Sequence, residues 1–162
     1  MKTIIYSDMD GVLVDFEKQI EKTTGMSVSK WATLDRRKRW DPVIANKDFW
    51  PKMPWLAEGR KLWSYIRKYN THILSAYVEH AHDPNCIPGK ASWARNNLGL
   101  PRNKINLVIR SAKQNYAMSG GKPNILIDDY KKNTDQFTAR GGIGIHFTTA
   151  SKAIAELKKH GF

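Results

Sequence analysis

Short apolar runs alternate with amphipathic stretches along most of the chain. Thr3-Ile4-Ile5-Tyr6, Thr71-His72-Ile73-Leu74-Ser75, Ile105-Asn106-Leu107-Val108-Ile109, Asn124-Ile125-Leu126-Ile127 and Ile143-Gly144-Ile145-His146-Phe147 each read as a strand. Runs of this kind suit strands covered on both faces. Between them, Asp15 to Thr24 predicts a helix with Phe16 and Ile20 on one side. Leu62, Ile66 and Tyr69 mark a helix before the second strand, and Trp93, Asn97 and Leu98 one after it. Ala150 to His160 closes the chain as a basic helix. Strands separated by helices imply an α/β fold with a parallel sheet and right-handed crossovers. Residues 17 to about 60 break the alternation and read as a small helical insertion rich in aromatics: Trp31, Trp40, Phe49, Trp50 and Trp55.

Two apolar runs end in carboxylates, which changes the picture from fold to chemistry. The first leads into Ser7-Asp8-Met9-Asp10-Gly11-Val12-Leu13-Val14-Asp15-Phe16, and the fourth into Asp128-Asp129. In an open parallel sheet, strand ends are where ligand-binding side chains are presented. Paired carboxylates at such a place repel one another unless a cation or a proton relieves them. If the two strands are neighbours, Asp8, Asp10, Asp128 and Asp129 converge on one pocket. Oxygen ligands of that kind suit a hard divalent cation such as Mg²⁺.

The same residues resemble the haloacid dehalogenase superfamily of phosphotransferases, whose first motif is Asp-x-Asp-Gly. A strand ending in Ser75, then Lys113, then Ile125-Leu126-Ile127-Asp128-Asp129 match its remaining motifs in order. Within the superfamily the chain is similar to the 5′(3′)-deoxyribonucleotidases, through residues 8 to 16, Lys90 with Trp93, and Asp128-Asp129 with Asn133 and Gly141-Gly142. It departs from them in having Ser75-Ala76-Tyr77 where they commonly carry Thr-Ser-Pro, and in being shorter. The resemblance implies a Rossmann-like sheet of five strands in the spatial order five, four, one, two, three, with the insertion as a cap over the site.

It also implies Mg²⁺-dependent phosphomonoester hydrolysis through a phosphoaspartate. In that scheme Asp8 is the nucleophile and Asp10 the acid and base. Asp8, the backbone carbonyl of Asp10, and Asp128 ligate the ion, and Asp129 holds a metal-bound water. Ser75 and Lys113 neutralise the transferring oxygens. An acidic residue at position 10 accompanies phosphatases and phosphomutases in the resembling superfamily, and hydrolysis is the expected reaction.

The cap aromatics read either as a minicore or as a surface that stacks on a nucleobase. Phe49 or Trp50 is the expected pocket member, since the related nucleotidases carry aromatics near this point. A formal net charge of +12, densest at Arg36-Arg37-Lys38-Arg39, favours a phosphorylated small substrate such as a nucleotide. It leaves open a phosphatase acting on nucleic-acid ends, or a catalytically idle nucleic-acid-binding protein. No Gly-x-x-x-x-Gly-Lys-Ser/Thr loop is present, so a fused kinase is not expected. His80, His82 and Cys86 lack the four ligands of an established zinc pattern and read as a polar loop. His72 and His146 lie within strands and are expected to be hydrogen-bonded structural residues.

Composition sets the remaining bounds. A chain of 162 residues, 41% hydrophobic, forms one core that buries roughly 70% of its unfolded surface. It is expected to be a single domain over residues 1–162. Its lone cysteine, Cys86, excludes an internal disulfide. No apolar run reaches the ~20 residues of a membrane span, and no signal segment precedes the first strand, so a cytoplasmic enzyme is expected.

Overall fold

The computed structural model describes residues 2–79 and 81–162. Its strands are β1 (Ile5–Ser7), β2 (Thr71–Ala76), β3 (Ile105–Val108), a hairpin of β4 (Met118–Ser119) and β5 (Lys122–Pro123), then β6 (Ile125–Asp128) and β7 (Ile143–His146). Five of them form one parallel sheet in the order β3-β2-β1-β6-β7. This is an α/β fold, and the order is the one the sequence resemblance implies.

The helices are α1 (Phe16–Thr24), α2 (Val28–Ala32), α3 (Asp41–Ala45), α4 (Ala57–Ile66), α5 (Cys86–Leu98), α6 (Lys131–Ala139) and α7 (Ala150–Lys159). None is long and apolar enough to cross a membrane, among the described residues. The strands alternate faces with period two. Ile5, Ile73, Ile125, Ile127 and Ile145 pack with Leu62, Ile66, Trp93 and Leu157 from α4, α5 and α7. Tyr6, Leu74 and Leu126 face the other way, onto Ala117 and onto Phe137 of α6. Burying an aliphatic side chain of this kind is worth about 1.5–3 kcal/mol, which is why the central strands contain so little else.

Residues between α1 and α4 are bound tightly to the rest. Asp15 caps α1 by accepting from Lys18 N at 2.9 Å, and Gly25 ends it in the left-handed conformation at φ 73°. Phe16, Trp31, Trp40, Phe49 and Trp50 then meet ring against ring, with Phe16 5.9 Å from Phe49 and 6.0 Å from Trp31. Gln19 Nε2 donates to Phe49 O at 2.7 Å and Trp93 Nε1 to Met53 O at 2.9 Å. Trp50 Nε1 donates to Asp83 Oδ2 at 2.8 Å. At Gly89 a β-carbon would strike Trp50 Cβ at 2.5 Å, so α5 lies directly against the insertion.

Differences from the sequence reading are local. Helix α4 stops at Ile66, and Tyr69 lies in the turn beyond it. The hairpin β4–β5 has two-residue strands, too short to leave a periodic signal. It is tied down by buried Asn124, whose Nδ2 donates to Tyr116 O and Ser119 Oγ. As expected, His72 and His146 are hydrogen-bonded, to Asn70 Oδ1 and to the Asp129 carbonyl. His80 lies outside the described residues. Cys86 is buried, and with His82 it joins no cluster of metal-ligating side chains among the described residues.

Candidate active site

Strands β1 and β6 are in register, Ser7 beside Ile127, so the residues that follow emerge at one level. Asp8 N donates to Ile127 O at 2.9 Å, prolonging the ladder by one step. The sheet changes winding direction between these strands, and a crevice opens at their carboxyl ends. Beyond Asp8 the chain folds back sharply, with Val12 N, Leu13 N and Val14 N all donating to Met9 O. Gly11 takes φ +76° there, and a side chain at that position would run into the Asp129 carboxylate.

Asp8, Asp128 and Asp129 each offer a carboxylate oxygen within 4.8 Å of the others. Lys113 Nζ lies among them, 2.7 Å from Asp128 Oδ2 and 3.2 Å from Asp8 Oδ1. Asp8 Oδ1 also accepts from Met9 N at 2.8 Å. Asp128 is held by Tyr130 N at 2.9 Å and by Asn133 Nδ2 at 3.1 Å.

Crowding shows in the titration of these groups. Burial, then the Asp8 and Asp128 charges, push Asp129 up to about 7. Burial and Asp8 push Asp128 up to about 6, against the opposing pull of Lys113. Burial works to lower the Lys113 pKa, but Asp8 and Asp128 overcome it and carry it upward. Three converging carboxylates with one ammonium between them form a donor set that a hard divalent cation fits.

A pH dependence follows. A carboxyl whose folded pKa lies above its unfolded value binds protons more tightly when folded. Between about 4 and 7 it therefore makes the metal-free protein more stable as pH falls. Burial lowers the pKa of His72, which works in the opposite direction below about 6.5, so the comparison must be made against a variant. In chelator, Asp129→Asn should raise Tm at pH 8 more than at pH 5. An equal change at both pH values would show that Asp129 is not under this strain.

Asp10 is organised separately. Lys90 Nζ, 1% exposed, donates to Asp10 Oδ2 at 2.9 Å, Ser75 Oγ at 2.9 Å and Ala76 O at 2.7 Å. An ammonium has three donors, and all three are used. Asp10 Oδ1 is buried and has no hydrogen-bond partner among the described residues.

These groups line a cavity of about 650 Å³. Asp8, Asp10, Asp128 and Asp129 line it together with Lys113 and Arg110, and its apolar surface comes from Val14, Phe16, Val28, Leu56 and Phe147, with Tyr130 exposed beside them. The sequence-expected carboxylates and Lys113 are thus brought together. Ser75 is not part of the lining. Its hydroxyl is fully buried beneath Lys90, and its neighbour Ala76 lines the cavity instead.

Phe49 and Trp50 are 0% and 1% exposed within the aromatic cluster, and neither lines the cavity. That position does not suit a stacking surface; the ring from this cluster that reaches the cavity is Phe16. Arg36, Arg37 and Lys38 are exposed and Arg39 lies over the Trp31 ring, all away from the cavity lining. Sequence reasoning gave no role to Lys90, Arg110 or Asn133. Lys90 and Asn133 entered only as residues that carry the family resemblance, and the partners of Lys90, Arg110 and Asn133 are 80, 23 and 5 residues away.

No protein-family model matches this chain, and no curated protein matches it. In structure it is similar to a hydrolase from Streptococcus pneumoniae TIGR4, at 14% identity and a TM-score of 0.47 over 99% of this chain and 98% of that one. It is also similar to the HAD domain of effector protein Lem4 from Legionella pneumophila, at 14% identity and a TM-score of 0.45 over 98% of this chain and 93% of that domain. Similarity at this level adds nothing to the site's own geometry, on which the functional reading rests.

Proposed function

We propose that this chain is a phosphomonoesterase of the haloacid dehalogenase type, acting on nucleoside monophosphates through a phosphoaspartate. One observation carries the reading: two carboxyls side by side, Asp8 and Asp10, are each held by one oxygen. Asp8 Oδ1 is fixed by Met9 N–H and Lys113, and no hydrogen bond engages Oδ2 among the described residues. Asp10 Oδ2 is fixed by Lys90, and buried Oδ1 has no hydrogen-bond partner among the described residues. A nucleophile and a proton carrier are served by that arrangement, one oxygen anchored and the other without a hydrogen-bond partner.

In the reaction, Asp8 Oδ2 forms a bond to phosphorus as the ester P–O bond breaks. The departing oxygen takes a proton from Asp10. Asp10, now a carboxylate, draws a proton from the water that attacks the acyl phosphate, and inorganic phosphate leaves as Asp8 is regenerated. Asp8, Asp128 and Asp129 would together hold Mg²⁺, which when bound would supply charge stabilisation for the phosphoryl oxygens. Lys113 adds a fixed positive charge beside the same oxygens.

Phe16 and the apolar wall beside it support a substrate with a flat organic part. Base stacking on an aromatic is worth about 1–3 kcal/mol. Phe16→Ala should therefore lower kcat/KM on a deoxynucleoside monophosphate by roughly tenfold to a hundredfold, while turnover of a small generic phosphate ester barely changes. The deciding screen measures Mg²⁺-dependent phosphate release from nucleotides, sugar phosphates and end-phosphorylated oligonucleotides at two salt concentrations. A strong oligonucleotide preference that collapses with salt would replace the nucleotide reading with action on nucleic-acid ends through the basic surface.

A further inference from the structure

We infer that Arg110 captures the phosphoryl group of the substrate, a role that rests on the phosphomonoesterase reading and adds a residue to it. Among the described residues, three cations serve this site, and two are already neutralised. Lys90 is paired to Asp10, and Lys113 to Asp8 and Asp128. Arg110 lines the same cavity, but its Nη1 donates to two neutral amide oxygens, Asn133 Oδ1 at 2.9 Å and Gln136 Oε1 at 3.1 Å. Those bonds orient the guanidinium without cancelling its charge. No carboxylate lies within ion-pair distance of it among the described residues. The donors on Nη2 and Nε remain for a ligand, in a fork whose planar geometry matches phosphate oxygens.

Position supports the same role. Arg110 opens the 3-10 turn Arg110–Tyr116, and Lys113 lies three residues along it. In a 3-10 helix, residues three apart share one side, displaced by about 6 Å of rise. Lys113 is thus held at the carboxylates while half-buried Arg110 stands beside it, so that one phosphoryl group can meet both.

Among the described residues, both lysines of the site are committed to its aspartates, and Arg110 is the cation lining the cavity that no carboxylate engages. The alternative role is a strut, in which Arg110 merely holds Asn133 against Asp128.

The experiment titrates inorganic phosphate into the full chain in the presence of Mg²⁺ by calorimetry. Arg110→Gln keeps a neutral donor near Asn133 and removes the charge, and it should weaken phosphate binding by tenfold or more. The KM for any hydrolysed ester should rise in step. Arg110→Lys should recover part of the loss, and Asn133→Ala, which removes the strut but leaves the guanidinium, should weaken phosphate binding less than Arg110→Gln.

If Arg110→Gln binds phosphate like the wild type while melting at lower temperature, the residue is a strut and the inference is overturned. Should that variant fail to fold, labelling of the wild type decides. Phosphate should protect Arg110 from an arginine-selective dicarbonyl reagent, read by peptide mass spectrometry, and absence of protection overturns the inference. Phosphate binding that depends on Arg110 in a chain that hydrolyses no ester would instead defeat only the enzymatic reading.

Discussion

Asp8→Asn should leave a folded protein whose phosphate release falls on the order of 10⁴-fold or more, since an amide oxygen does not form the acyl phosphate. The substitution is close to isosteric. The amide oxygen can still accept from Met9 N, and Lys113 keeps Asp128 at 2.7 Å, so the melting temperature should change little relative to the rate. Loss of activity together with loss of folding would say nothing about attack, and for that reason the two are measured on one preparation. A variant that folds and keeps more than about a hundredth of the wild-type rate would remove Asp8 from the covalent step.

Lys113→Met carries the largest expected effect on stability. Removing one partner of a buried ion pair costs about 3–5 kcal/mol, because the remaining charge has no solvent to turn to. Here the ammonium serves two buried carboxylates, with Asp129 close by, so the cost at pH 8 in chelator should lie near the upper part of that range. Protons and divalent cations are the other ways of relieving the cluster. The deficit should therefore shrink at pH 5, below the value of about 6 to which Asp128 is pushed even with Lys113 present, and it should also shrink on adding Mg²⁺. Denaturant unfolding under these three conditions tests it. A cost under about 1 kcal/mol at pH 8 would mean that the cluster does not depend on this lysine.

The fold and the carboxylates of the candidate site were legible because they leave one-dimensional signals. An apolar run followed by acids, twice, marks Asp8 and Asp128 wherever the intervening chain goes, and a parallel sheet supplies the reason they meet. Lys113 was legible only through the order of motifs. Lys90 entered only through the family resemblance, without a role, and Arg110 carried no signal, because what distinguishes each from a surface cation is its partner: a carboxylate in one case, neutral amides in the other. The aromatic segment misled for a related reason. Phe49 and Trp50 sit where a pocket ring was expected, but with Trp31 and Trp40 nearby the cheapest packing buries them together. Phe16, at the first turn of α1 just after the loop that carries Asp10, is the ring left facing the cavity. Ser75 illustrates the period-two rule of strands: a shift of one residue exchanges lining for burial, and here Ala76 has the outward place.

If the chain is the phosphomonoesterase proposed above, the fastening of the aromatic insertion bears on how its turnover would be paced. Trp93 joins it to α5 through a buried bond, Trp50 joins it to the loop after β2, and Gly89 lets α5 touch it without a gap. A segment attached in this way is not expected to swing as a lid. Substrate and product would then exchange through an open mouth, and the proposed acyl phosphate would meet water without waiting for a conformational step. On the proposed reading, such a site would favour hydrolysis over passing the phosphoryl group to a second organic acceptor.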